Sequence, residues 1–248
     1  MAPVTFAEVL ICVLVTMFIA TTIRTTFGFG EALFAMPLLV IFVDLDVARA
    51  LVAMVSVMTA VSILLKDWQH VRFASAWRLV LASAVGIPIG FRVVSQFDEK
   101  PIRIALAVLI LAFGTYRLTR PRMLKLSSDR WSFVFGIVSG VLGGAYNTAG
   151  PPIVVYASMR AWSPKDFRAT IQGIFLPTSL LIVIGHAVER RVTKDVLIYF
   201  AACMPVLAVS LLIGRSLNSR FGHGRFVWCV NWLLVAIGAW LLFDSLYT

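Results

Sequence analysis

The stretch RTTFGFGEALFAMP, residues 24–37, places two glycines and a proline inside the first apolar region of the chain. Glycine weakens a helix and proline removes one of its hydrogen bonds, so this stretch predicts a broken helix. A second stretch, GGAYNTAGPP at residues 143–152, has the same character. Unpaired backbone groups survive at membrane depth only beside protein partners or a water-filled cavity, and the two stretches therefore predict a polar cavity.

The sequence around these stretches is typical of an integral membrane protein. Of its 248 residues, 60% are hydrophobic and 14% are charged, whereas soluble proteins are roughly half apolar and a quarter charged. Since a spanning helix needs roughly 20 apolar residues, the chain has room for roughly eight to ten hydrophobic segments and almost no extramembrane domain. The apolar run that begins at Phe6 lacks a basic leader and a cleavage site, so we expect it to be a retained first span.

Hydropathy divides each half of the chain into five apolar segments. They are residues 6–23, 28–43, 47–65, 77–94 and 101–118, followed by 131–146, 151–161, 169–188, 196–217 and 226–243. Segments 28–43 and 151–161 are short for a span, so we expect broken or re-entrant half-helices there. The predicted fold is all-α, a polytopic membrane protein with about eight transmembrane helices plus these half-helices.

The chain is predicted to contain two inverted repeats, a first half at 1–118 and a second half at 131–248. Moving the first half along the sequence by a fixed number of positions aligns it with the second. A shift of 124 positions places Gly90 on Gly214, a shift of 119 places Arg49 on Arg168, and a shift of 115 places Gly28 on Gly143. Each half contributes an odd number of crossings, so the halves should lie in opposite orientations. This arrangement is typical of transporters.

The linker between the halves, residues 119–130, is the most basic part of the chain. It contains Arg120, Arg122, Lys125 and Arg130, with Arg117 just before it. Short loops rich in Lys and Arg remain in the cytoplasm, so we expect the linker there. The net charge of +10 then reflects membrane topology and not nucleic-acid binding. The three cysteines lie in apolar runs without metal-ligand spacing, so neither a disulfide nor a metal site is predicted.

A candidate anion site lies at the two broken stretches. A restarted half-helix points its N-terminal amides and the positive end of its dipole at the cavity, which favours an anion. The residues expected to bind it are Arg24, Thr25, Thr26, Gly28, Gly30, Gly143, Gly144, Asn147, Thr148, Gly150 and Gln172. Two alternatives stay open: the glycines serve close helix packing, and Asn147 and Thr148 cap the half-helix near Pro151.

Charges at membrane depth are costly, which makes Arg24 and Glu31 functional candidates. Arg24 would attract the anion, and Glu31 would carry a coupling proton. In the structural alternative, Arg24 snorkels to the interface and Glu31 neutralises it. The other charged or titratable residues near the spans are expected at loops or membrane interfaces, namely Arg49, Arg168, His70, His186 and His223.

The pattern resembles the sulfite exporter TauE/SafE family over nearly the whole chain. The residues that carry the resemblance are the glycine run at 28–37, GGAYNTAGPPIVVY at 143–156, FRAT at 167–170 and His70. The family commonly has a richer glycine run where this chain has FGFGEALF, so Glu31 is a departure. The resemblance implies a secondary transporter that moves sulfur-containing anions, such as sulfite or organosulfonates, across the bacterial inner membrane.

Together the residues and the resemblance predict a carrier of small anions that works by alternating access and needs no cofactor. Its expected partners are the anion and the lipid bilayer, with a proton or counter-ion for coupling and a homodimer as one form of assembly. A passive anion channel is the main alternative. An intramembrane enzyme is less favoured because HExxH and GxSxG motifs are absent, and a non-transporting assembly factor would leave the breaks unexplained.

Overall fold

The computed structural model describes residues 5–96, 130–160 and 162–220, with isolated positions between 104 and 128 and between 228 and 243. Every regular element within these residues is helical. They are α1 Phe6–Phe27, α2 Glu31–Leu39, α3 Leu45–Asp67, a 3₁₀ turn at Trp68–His70, α4 Phe73–Gln96, α5 Trp131–Tyr146, α6 Gly150–Met159, α7 Pro164–Val188 and α8 Lys194–Arg220. The predicted segments 101–118 and 226–243 and the linker lie largely outside the described residues.

Five of these helices, α1, α3, α4, α7 and α8, are long and apolar enough to cross a membrane. Their outer surfaces carry large apolar side chains such as Ile11, Leu81 and Leu212, which are more than half exposed. An apolar surface of this extent is typical of contact with lipid. The prediction of an all-helical, polytopic membrane protein is therefore confirmed.

The first break separates α1 from α2 at residues 28–30. Gly28 and Gly30 have φ angles of 92° and 99°, a left-handed conformation that glycine adopts at little cost. The Gly28 N–H donates to the Arg24 carbonyl at 2.6 Å and ends α1, whereas the Phe34 N–H donates to the Gly30 carbonyl at 3.1 Å and begins α2. Phe29, between the two glycines, is fully buried and holds the break in the core.

The second break separates α5 from α6 at residues 147–149. Asn147 has a φ of 57° and ends α5, with its N–H donating to the Gly143 carbonyl at 2.8 Å. Asparagine is one of the few residues that tolerates this left-handed conformation. Helix α6 then begins with prolines in its first turn and has no side-chain cap. The alternative in which Asn147 or Thr148 caps the second half-helix is therefore wrong.

The two series of four helices, α1–α4 and α5–α8, have matching neighbours. Helix α3 packs along α7, α4 packs along α5, and α8 packs along α1. The α4–α5 contact is so close that a Cβ atom on Gly90 or Gly140 would collide with backbone of the opposite helix. Gly214 of α8 is matched with Gly90 by the shift of 124. A Cβ atom on Gly214 would likewise collide with the Thr25 side chain of α1. Small residues thus let each fourth helix approach the other half's first helix.

Candidate anion site between the two breaks

Both breaks border one cavity of about 40 Å³. Its walls come from the two breaks, from the first residues of α2 and α6, and from α1, α3 and α7. The lining residues are Arg24, Gly30, Glu31, Ala32, Leu33, Ser56, Asn147, Thr148, Ala149, Gly150, Phe175, Thr178, Ser179 and Ile182. Breaks that are far apart in the chain therefore face a common space, and the lining includes six of the residues singled out in the sequence.

At one wall of the cavity, Arg24 and Glu31 form an ion pair whose side chains are only 3% and 2% exposed. Helix α1 carries Arg24 in its last turn and α2 carries Glu31 as its first residue. The left-handed glycines between them redirect the chain so that the carboxylate returns to the guanidinium. The alternative in which Arg24 snorkels to the interface is wrong because Arg24 is buried, but its pairing with Glu31 does neutralise the charge.

Three hydroxyl groups complete the surroundings of the Glu31 carboxylate. Thr21 of α1 donates to it at 2.9 Å, and from α3 Ser56 donates at 2.8 Å and Thr59 at 3.3 Å. A buried ion pair is tolerated when further hydrogen bonds satisfy its remaining lone pairs and protons. These hydroxyls meet that condition for Glu31.

Gln172 and Phe175 of α7 hold the Arg24 guanidinium from the other side. The Gln172 Oε1 atom accepts from Arg24 Nε at 3.2 Å and from Nη2 at 2.9 Å, and its Nε2 donates to the Gly28 carbonyl at 2.8 Å. The Phe175 ring lies 5.1 Å from the guanidinium carbon, within the range of a cation–π contact. Gln172 thus lies behind Arg24 and ties it to the first break, rather than lining the cavity.

Two half-helices begin at the cavity and differ in what they can donate. The first three amides of a helix have no carbonyl partner within it, so α2 offers the N–H groups of Glu31, Ala32 and Leu33. In α6 the residues after Gly150 are Pro151 and Pro152, which carry no N–H. The positive ends of both helix dipoles face the cavity, but most of the backbone donors belong to α2.

Besides Gln172, five of the predicted binding residues lie outside the cavity lining. The threonines, Thr25 and Thr26, lie at the end of α1 near α8, where Thr26 donates to the Thr22 carbonyl at 2.8 Å. The Gly28 carbonyl accepts from Gln172. A Cβ atom on Gly143 would come within 3.1 Å of the Ala149 Cβ, and one on Gly144 would collide with backbone of α4. Close helix packing therefore accounts for the last two glycines.

The expectation that Arg49 anchors at a membrane interface is wrong, and Arg168 finds a partner within the protein. Arg49 is 2% exposed and donates from Nη2 to the Gly144 carbonyl at 2.9 Å. Arg168 pairs with Asp67 at 2.6 Å, and both are partly buried. Both arginines are drawn inward because they find backbone or carboxylate partners there.

The histidines differ in their surroundings. His70 lies in the 3₁₀ turn and is about half exposed, as expected of a loop residue. His186 is only 1% exposed and packs edge-on against Phe91, so the expectation of an interface histidine is wrong for it. His223 lies outside the described residues.

Sequence reasoning missed the hydroxyl groups that α3 and α7 contribute. Ser56 lines the cavity from α3, and Thr178 and Ser179 line it from α7. The sequence contains one signal of these hydroxyls. The shift of 119 that matches Arg49 with Arg168 also places Thr59 on Thr178, and Thr59 donates to Glu31.

Comparison with known proteins points to one family. The sequence profile of the family described as Sulfite exporter TauE/SafE matches residues 13–241. A protein of Cupriavidus necator described as "Probable sulfite/organosulfonate exporter TauE" is 24% identical over 236 residues, which cover 91% of each chain. No solved structure matches the chain.

Proposed function

This chain belongs to the sulfite exporter TauE/SafE family, and from that premise we propose that it transports a sulfur-containing anion, sulfite or an organosulfonate. The Cupriavidus necator relative is described as an exporter of these anions. The observation that carries the proposal is the cavity on which both half-helices begin beside Arg24. An enzymatic role is set aside because the family is one of membrane transporters.

The cavity offers donors suited to the oxygens of a sulfite or sulfonate group. These are the first amides of α2, the Gly150 N–H, and the side chains of Asn147 and Ser179. The Arg24–Glu31 pair is neutral as a unit, so the helix ends supply the net positive potential for an anion. A volume of about 40 Å³ holds a few water-sized groups, which suits a compact anionic group.

Transport is proposed to occur by alternating access between two inverted halves, 1–118 and 131–248, around this cavity. The support is the matched order of neighbours in α1–α4 and α5–α8 and the known use of inverted repeats by transporters. The side of the basic linker is proposed to be the cytoplasmic side of a bacterial inner membrane, because short loops rich in Lys and Arg remain in the cytoplasm. The ends of α3 and α7 that hold Asp67 and Arg168 then face the cytoplasm as well.

Glu31 is proposed to couple anion binding to a proton. An anion in the cavity and the Glu31 carboxylate compete for the same guanidinium of Arg24, because both are negative and adjacent to it. A proton on Glu31 would remove that competition, and anion and proton would then occupy the site together.

The test of the site is anion flux into proteoliposomes. We expect Arg24→Ala and Asn147→Ala to abolish saturable sulfite flux. Asn218 is the matched control for Asn147, and Arg215 is the matched control for Arg24. Asn218 donates to the Thr26 carbonyl at 2.7 Å, and Arg215 donates to the Ser62 carbonyl at 2.6 Å. Neither control residue lines the cavity. Normal flux in both site variants, with protein inserted as in the wild type, would rule out the site.

The same preparation separates a carrier from a passive channel. A carrier saturates with anion concentration and responds to a counter-gradient, because each cycle moves one bound ion. A channel gives currents that rise linearly with voltage. Linear currents without saturation would overturn alternating access while leaving the anion site in place.

Coupling is best tested with methanesulfonate, whose sulfonate group stays ionised over the working pH range. We expect an imposed pH gradient to drive its accumulation by the wild-type protein. Glu31→Gln should keep downhill flux but lose the response to the gradient. An unaltered response in Glu31→Gln would exclude Glu31 as the coupling group.

A further inference from the structure

The cavity between the two breaks has a charged end and an apolar end. Helix α7 lines it with Phe175, Thr178, Ser179 and Ile182, which share one face of the helix because they are spaced i, i+3, i+4 and i+7. At a rise of about 1.5 Å per residue, this stripe extends over about 10 Å. Arg24 lies beside its first member, since the guanidinium carbon is 5.1 Å from the Phe175 ring. Ile182 therefore lies at the opposite end, about two turns further along α7.

The Ile182 side chain closes the apolar end of the cavity against helices of both halves. It belongs to a small buried cluster with Ala53 of α3 and Ile87 of α4, separate from the core cluster that contains Phe175. Its Cδ1 atom also lies 3.3 Å from the position that a Cβ on Gly143 of α5 would take. Ile182 is only 4% exposed, so neighbouring groups hold its side chain in place. The size of this side chain therefore sets the length of the cavity.

The volume of the cavity matches a sulfonate group with a very small substituent. A site for one water-sized group takes roughly 10–15 Å³, so the volume of about 40 Å³ has room for roughly three or four such groups. The oxygens of sulfite or of a sulfonate use three of these places, and a methyl group uses the last. A longer alkyl chain would require a wall residue to move, which is unfavourable in a close-packed interior.

Charge determines which way the anion lies. Its oxygens are attracted to the guanidinium of Arg24 and to the amides of residues 31–33, because the start of α2 is the positive end of the helix dipole. An alkyl substituent gains nothing from these groups, and Phe175 already covers one face of the guanidinium. The substituent of a sulfonate is therefore directed away from Arg24 and towards Ile182.

We propose that Ile182 limits the length of the substrate, and that the protein takes sulfite and methanesulfonate but not sulfonates with longer alkyl chains. This inference rests on the proposed function, because it assigns a substrate size to the same cavity. The Cupriavidus necator relative is described as a sulfite/organosulfonate exporter without a limit of size. For this chain, the inference divides that class by the length of the substituent.

The experiment measures which alkylsulfonates bind, with methane-, ethane-, propane- and butanesulfonate as probes. Titration calorimetry on the detergent-solubilised protein gives each dissociation constant, and competition with sulfite flux in proteoliposomes gives the order of affinities during transport. In the wild-type protein we expect methanesulfonate to bind, and each added carbon to weaken binding by at least about tenfold.

Two substitutions of Ile182 should extend this limit by different lengths. Ile182→Val removes one carbon atom, Cδ1, and should move the limit from methanesulfonate to ethanesulfonate. Ile182→Ala removes three carbon atoms and should admit propanesulfonate. The ratio of the propanesulfonate to the methanesulfonate dissociation constant should then fall by at least about tenfold. Ile182→Val also serves if Ile182→Ala folds poorly, because it leaves a smaller void.

Ile63→Ala is the matched control. The shift of 119 places Ile63 of α3 on Ile182, and Ile63 is 2% exposed but lies outside the cavity lining. The control thus loses the same atoms from a buried position without lengthening the cavity. We expect it to keep the wild-type limit.

An unchanged limit in the folded Ile182 variants would overturn the role of Ile182, and equal binding of methane- and butanesulfonate by the wild-type protein would overturn the size limit itself. In both cases, sulfite flux by the wild-type protein would leave the proposed function in place. A longer limit in Ile63→Ala as well would also overturn the role of Ile182, because loosened packing would then explain it. Binding with the expected limits but without flux of sulfite or methanesulfonate would contradict transport and support the inference.

Discussion

Glu31 returns to Arg24 across two left-handed glycines, and the two side chains form a buried ion pair although an unbroken helix would not bring them together. The pair joins α1 to α2, and hydroxyls of α1 and α3 and the amide of Gln172 surround it. The ion pair, together with the two glycines, thus stabilises the backbone conformation of the first break. Loss of either charge leaves the other buried without its counter-ion.

Glu31→Gln is expected to destabilise the protein by about 3 kcal/mol, because it leaves the Arg24 cation buried without a carboxylate. The double variant Arg24→Gln/Glu31→Gln should recover part of that loss, since no charge remains. Thermal unfolding in detergent measures both. Equal losses of stability in the single and double variants would show that the unpaired charge of Arg24 is not what destabilises Glu31→Gln.

Sulfite or methanesulfonate is expected to raise the thermal stability of the wild-type protein, because a ligand that binds only the folded state stabilises it, by about 2.7 kcal/mol at 100 times its dissociation constant. The rise should be larger in Glu31→Gln, where the bound anion replaces the missing charge beside Arg24. Asn147→Ala should reduce it. The check is a thermal-shift titration with chloride at equal ionic strength as control, and a smaller rise in Glu31→Gln than in the wild type would contradict the competition for Arg24.

Gly140→Ala is expected to destabilise the protein by roughly 1–3 kcal/mol, because an added methyl group overpacks a close contact. The methyl would collide with the Ser83 backbone, and neither helix can move without losing other contacts. Gly150→Ala is the matched control, since its added Cβ would meet only side-chain atoms of Phe29 and Phe175 at 3.6 Å or more. Equal melting temperatures for the two variants would argue against a rigid α4–α5 contact.

Gly30→Ala is expected to cost roughly 1–2 kcal/mol, because an L residue is strained at a φ of 99°. Asn is better tolerated in left-handed backbone, so Gly30→Asn should be less destabilising than Gly30→Ala. Thermal unfolding of the two variants side by side measures the difference. A greater loss in the asparagine variant would indicate that side-chain volume, and not backbone strain, limits this position.

Hydropathy predicted the helices well where their ends are apolar. The predicted segment 131–146 has the same bounds as α5, whereas α7 begins at Pro164, five residues before the predicted 169. The first turn of α7 contains Lys165 and Asp166 and is capped by the Ser163 hydroxyl. An apolar window cannot detect a helical turn that is made of polar residues.

The candidate site was only partly accessible from sequence. Glycine and proline indicated where the helices break, and Arg24, Glu31 and Asn147 do lie at the cavity. The direction of α2 after Gly30 depends on two specific φ angles, so the return of Glu31 to Arg24 could not be read from spacing. The hydroxyls of α3 and α7 come from distant parts of the chain, and only packing brings them to the breaks.

The close contacts of α4 with α5 and of α8 with α1 mean that the tightest helix pairs of this protein join its first part to its second. Each tightly joined pair takes one helix from residues 1–118 and one from residues 131–248. The two parts of the chain are thus interleaved, as in a domain-swapped dimer whose subunits are joined into one polypeptide. Among the described helices, α1 and α5 each pack closely against a helix of the other part, so severing the chain at the linker should yield two fragments that fold only when produced together.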